Sequence, residues 1–179
     1  MGTGASIRRL AEHAGFVFGL LLAVKAALLV VDPGFRLFLG DSATYLHSAL
    51  TLGVPHDRSF TYGGFVRATA VWGQSLFALV LAQSLLGVLL AQSAWWVAVR
   101  QLRGSPSLGL ALSLLLALEP GQLYYERAVM AETPGLFALA AFLAAGVAYL
   151  RAPRLLWLPA LVGLGLAAVS LRFTLTISQ

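Results

Sequence analysis

The sequence predicts an all-α, polytopic membrane protein of about five transmembrane helices, with a long first outer loop carrying a short juxtamembrane helix. Three observations predict it. Of the 179 residues, 59% are hydrophobic and only 11% are charged, against about 25% charged in ordinary soluble domains. The apolar residues gather into runs near the length a helix needs to cross a bilayer, roughly 17 to 25 residues. The basic residues lie between these runs and form no stripe, so the net charge of +5 does not point to nucleic acid. The absence of cysteine excludes disulfides and thiolate metal sites.

The first run, residues 14 to 31, is apolar throughout except for Lys25. The preceding MGTGASIRRLAEHAG resembles the charged flank of a signal peptide. VVDPGFR follows the run in place of a small-residue cleavage site, so an uncleaved first span is expected. Lys25 either snorkels to the membrane surface or lines a polar cavity. Asp32-Pro33-Gly34 is a turn signal and opens the long segment 32–73. Within it, residues 41 to 52 are expected to form a short helix.

Residues 74 to 99 read as a second span with an aromatic end, and 106 to 118 as a shorter third that crosses if tilted. Residues 134 to 150 and 155 to 171 read as the fourth and fifth, rich in the small residues that let helices pack closely. Placing the N-terminus in the cytoplasm puts Arg8, Arg9, Arg100, Arg103, Arg151 and Arg154 at cytoplasmic ends, as the positive-inside rule asks. The expected location is the cell inner membrane. Asp32, Asp41, Asp57, Glu119, Glu126 and Glu132 then fall outside, and only Glu12 inside. That sorting makes the outer face the expected site of chemistry. The chain stops just after the fifth run, so residues 1–179 are expected to be a single transmembrane domain that is the N-terminal part of a longer protein.

The segment GDSATYLHSAL, residues 40 to 50, places Asp41, Tyr45 and Ser48 at i, i+4 and i+7, on one helix face. Asp41 reads either as a helix N-cap or as a carboxylate able to take a proton from an attacking hydroxyl or amine. Glu132 sits at the mouth of the fourth span. Thr133-Pro134 there reads as N-cap and first helical residue, and Glu132 as a dipole partner worth a few tenths of a kcal/mol or as a group facing the same outer cavity. Glu126 is adjacent to Arg127 and also reads as a solvated charge. Glu119, before Pro120, reads as a helix stop. Arg36, Arg58, Arg67, Arg127 and Arg172 are outer cations. Each suits either phosphate binding or interfacial anchoring. His47 and His56 are too far apart for a helical metal pair, and no nucleotide-binding glycine loop is present.

The order of these parts carries a resemblance. A first span is followed by GDSATYLHSAL, a loop with FTYGGF, a second span with LAQSLLGVLLA, and LALEPGQLYYERAVMAETPGLFALAAFLAA. This resembles the N-terminal half of the polytopic GT-C glycosyltransferases. In pattern it is nearest bacterial family 39, which resembles protein O-mannosyltransferases and lipid A aminoarabinose transferases. The resemblance covers nearly all of the chain. It implies that Asp41 is the catalytic base. Where many relatives carry a second acid after that base, this chain has Ser42. The family's acid before the next helix matches Glu132, and its aromatic-acid step matches Tyr124-Tyr125-Glu126. Glu126, Glu132, Arg58, Arg67, Arg172 and Tyr45 are the expected substrate-binding residues. The resemblance further implies a polyprenyl-phosphate-linked sugar donor and an acceptor protein, lipid or glycan outside, with no cofactor, no catalytic metal and no nucleic acid. The alternative is a non-enzymatic polytopic membrane protein, such as a transporter half or an assembly subunit.

Overall fold

A computed structural model describes residues 13–55 and 58–172, with the side chain of Arg172 outside that description. The described chain is helical and holds no strand, only one isolated parallel bridge between Arg36 and Ala128. Helix α1 spans Ala14–Val31. It stops where Asp32 precedes Pro33, because proline supplies no N–H and disfavours helical geometry in the residue before it.

Helix α2, Leu39–Thr51, begins two residues before the expected start, with Phe38 as its N-cap. Asp41 is therefore not the cap but a first-turn acid, placed to complement the positive end of the helix. Ser42 takes the capping task from inside the helix: its Oγ accepts the Phe38 N–H at 2.8 Å. At the other end Leu52 turns left-handed, with φ of 59°. Arg67 then donates to the carbonyls of Ala49 (2.8 Å) and Leu50 (3.3 Å), two of the four a helix end leaves unpaired.

Helix α3, Phe60–Val66, is capped by Ser59 and widens into a π-helical turn at Arg67–Val71. Helix α4, Leu76–Trp95, is capped by Ser75 and ends in a second π-helical turn, Trp96–Gln101. Helix α5, Pro106–Leu118, has Ser105 as cap and proline in its first turn. Glu119 ends α5 and also begins α6, Pro120–Arg127, its carboxylate accepting the Gln122 N–H. The two halves meet at a 50° bend. Glu119 is thus the helix stop that the sequence predicts, and a second, more polar helix starts directly after it. Helix α7, Glu132–Arg151, starts with Ala131 as cap, two residues ahead of the expected Thr133. Helix α8 spans Trp157–Arg172.

Three described helices are long and apolar enough to cross a membrane: α1, α4 with its π turn, and α7. The α5–α6 pair makes a fourth if the bend lies within one span. Helix α8 has 16 residues, short of that length. This is an α-helical membrane protein. Helix α4 is its centre, packing against α1, α5, α6 and α7, while α8 lies on α7. Small residues set the close approaches. Ala138, Ala144, Ala145 and Ala148 line the buried face of α7, and Gly109 leaves room for Trp95 and Val99 of α4. One core cluster joins α1, α4 and α5 through Leu21, Val88, Trp95 and Ala117. The other, around Tyr45, Ala49, Tyr62 and Leu79, fixes α2 and α3 against one end of the bundle.

Candidate functional site

The site is built where α2, α3 and the α6–α7 connection meet. Of the α2 face, Tyr45 and Ser48 are buried and Asp41 is partly exposed. The Tyr45 ring stands edge-on to Tyr62, with centroids 4.6 Å apart. Gly63 packs against Ser48, where any Cβ would collide with the hydroxyl. That close approach of α3 to α2 is why glycine is needed at this place in FTYGGF. Asp41 pairs with Arg58, Oδ1 to Nη2, at 2.5 Å, so two predicted site residues meet directly.

Gln83 of α4 ties this region to the rest. The Tyr62 hydroxyl donates to Gln83 Oε1 at 2.9 Å. Gln83 Nε2 donates to the carbonyls of Glu126 (3.0 Å) and Ala128 (2.9 Å). A buried amide thus satisfies the Glu126 carbonyl at the end of α6 and joins the Met130 N–H on the Ala128 carbonyl. Residues 127–129 are also paired with the first loop. The Arg36 N–H donates to the Arg127 carbonyl at 2.7 Å and the Val129 N–H to the Arg36 carbonyl at 3.0 Å. Ser42 Oγ donates to the Val129 carbonyl at 3.0 Å. Ser42, adjacent to Asp41, is therefore a structural tie that sets the position of α2.

Asp32 and Arg127 reinforce the same seam. Arg127 is buried and donates from Nε to the Asp32 carbonyl at 2.9 Å and from Nη2 to the Leu28 carbonyl at 3.2 Å. Arg36 pairs with the Asp32 carboxylate at 2.7 Å. The Arg36 hydrogen bond holds the Asp32 carboxyl below its ordinary range.

Glu132 lies at the first position of α7, with one buried carboxylate oxygen that has no hydrogen-bond partner among the described residues. Burial pushes the Tyr62 phenol well above its ordinary value, and the charges of Tyr45 and Glu132 push the same way.

Glu126 is placed differently. Its side chain is fully buried and its Oε1 accepts from Lys25 Nζ at 2.6 Å. Gln122 Nε2 lies 3.3 Å from the same oxygen. Gly87 of α4 faces the carboxylate, and a Cβ there would overlap it. Sequence reasoning left Lys25 without a partner and missed Gln83 and Gly87. The available signal was polarity or absence of a side chain inside an apolar run: Gln83 and Gly87 in LAQSLLGVLLA. Arg67 is occupied with the end of α2. The side chain of Arg172, with His56 and Asp57, lies outside the described residues. Among the described residues, no three His, Asp or Glu side chains are grouped as a metal site.

No family model matches the chain, and comparison with curated proteins and with solved structures finds nothing similar.

Proposed function

We propose that the chain is a membrane glycosyltransferase, or the N-terminal portion of one, that moves a sugar from a polyprenyl-phosphate donor to an acceptor at the α2 end of the bundle. The observation that carries this reading is the Asp41–Arg58 pair: a carboxylate and a guanidinium in contact, partly exposed, on helices held by the Tyr45–Tyr62–Gln83 and Ser42–Val129 ties. The planar guanidinium binds phosphate oxygens in a fork. When a donor phosphate engages Arg58, Asp41 is freed to act as base. The acceptor O–H proton passes to Asp41. The acceptor oxygen bonds the anomeric carbon as the sugar–phosphate bond breaks. Polyprenyl phosphate leaves with the bonding electrons, its charge held by Arg58. Five spans with a cytoplasmic N-terminus would put this end outside the inner membrane.

A second reading is favoured by one specific observation. A broken helix carries a buried acid, Glu126, paired with a cation on a neighbouring helix, an arrangement found where transporters bind substrate or ions. Sugar transfer by the full-length protein, compared with substrate flux in reconstituted vesicles, separates the two. Transfer that falls with Asp41→Asn supports the first. Flux without transfer supports the second.

A further inference from the structure

The geometry points to a binding groove for one acyl chain of an anionic phospholipid, at the end of the bundle away from Asp41. The groove lies between α5 and α7, both of which pack on α4. It has a volume of about 320 Å³ and is lined by Leu102, Leu112, Leu116, Ala140, Ala144 and Val147 among others. That volume is at the lower end of ordinary ligand pockets, about 300 to 1,000 Å³. An aliphatic lining with almost no polar group suits a hydrocarbon chain and gives a sugar or nucleotide nothing to hold.

The charges around it name the headgroup. The groove runs toward the end of α4 and α7, where Leu102 adjoins Arg103 and Val147 lies one turn before Arg151. Both arginines are exposed. Arg100 and Arg154 lie at the same end, Arg100 with its guanidinium 5.7 Å from the Trp95 ring centre. Of the described acids, Asp32, Asp41, Glu119 and Glu132 lie at the opposite ends of these helices or in the loops there, and Glu126 is buried at mid-length of α4 and paired with Lys25. Among the described residues, a lipid phosphate at the mouth therefore meets cations and no acid, while its chain lies in the groove. Basic side chains at a membrane surface attract anionic lipid. The groove adds a fixed place for the chain, and so a specific lipid rather than a diffuse shell. This inference does not depend on the glycosyltransferase reading.

The test is native mass spectrometry of the purified full chain, given equal amounts of phosphatidylglycerol and phosphatidylcholine with matched chains. The expected result is retention of phosphatidylglycerol over phosphatidylcholine by roughly thirtyfold, the scale of two basic side chains at an anionic surface. The pair Arg103→Gln/Arg151→Gln should bring the ratio near one, and Arg103→Lys/Arg151→Lys should keep most of it. Ala140→Phe, which fills the groove from a half-buried position, should lower retention of both lipids. Equal retention by the unaltered chain would overturn the proposal, as would a preference that survives the glutamine pair. Retention unchanged by Ala140→Phe would show headgroup attraction without a groove and overturn it equally.

Discussion

Lys25 of α1 and Glu126 of α6 are 101 residues apart in sequence and form a buried ion pair, Nζ to Oε1 at 2.6 Å. Neither side chain reaches the surface. Removing one partner of such a pair strands a charge, at a cost of about 3–5 kcal/mol, whereas replacing both by apolar residues is often neutral or stabilising. Lys25→Met and Glu126→Met should each lower the unfolding midpoint in detergent strongly, and the double replacement should recover most of the loss. A double mutant no more stable than the worse single would show that the pair does not act as a unit.

Gly87 is required by that pair. A Cβ at this position overlaps the Glu126 carboxylate, and overpacking of this kind costs about 1–3 kcal/mol. Gly87→Ala should destabilise the protein by that amount, measured by the same unfolding assay. In the Lys25→Met/Glu126→Ala background, where the carboxylate is gone, the cost should fall close to zero. An unchanged cost there would mean that Gly87 is needed for some other contact.

These two relationships show what was legible in the sequence. The apolar runs located α1, α4 with its π turn, α5, α7 and α8 to within about two residues, because burial in lipid is written into every residue of a run, whereas α3 and α6 lie in the polar outer segments and were not read from it. The 14–31 run coincides with α1. Caps were read less well. Thr133 and Asp41 have the right chemistry, but Ala131 and Phe38 hold the cap positions, since the loop ties from Ser42 and Val129 decide where the chain enters each helix. The partner of Lys25 was not legible at all. It depends on the 50° bend at Glu119-Pro120 that brings α6 beside α1, a tertiary outcome with no local signature.

Gln83 makes one amide serve three groups. Gln83→Leu should take the acceptor from the Tyr62 O–H and the side-chain donor from the Glu126 carbonyl, at about 1–3 kcal/mol for each buried group, while the Ala128 carbonyl keeps the Met130 N–H. Tyr62→Phe removes only one of these bonds and should cost less. Hydrogen exchange at Arg127 to Val129 should rise in Gln83→Leu and stay nearer the original in Tyr62→Phe. Equal protection in both would remove Gln83 as the tie.

Acid should loosen the first loop through Asp32. Its carboxyl titrates lower in the folded protein because Arg36 hydrogen-bonds to it. A group with a depressed folded value contributes stability that is present above its unfolded value, about 3.9, and is lost as pH falls through the folded value. Asp32→Asn should therefore flatten the dependence of stability on pH below about 4 and leave it unchanged near 7. The effect is small, because nearly half of the Asp32 side chain is exposed. An acid profile that is the same in Asp32→Asn would contradict this assignment.

The most direct test of the proposed function is sugar transfer from a polyprenyl-phosphate donor by the full-length protein in membranes, before and after Asp41→Asn. The substitution keeps the shape and removes the base, so the rate should fall by at least about 100-fold. Arg58→Gln should weaken use of the donor while the protein stays folded. Turnover unchanged by Asp41→Asn would contradict the account.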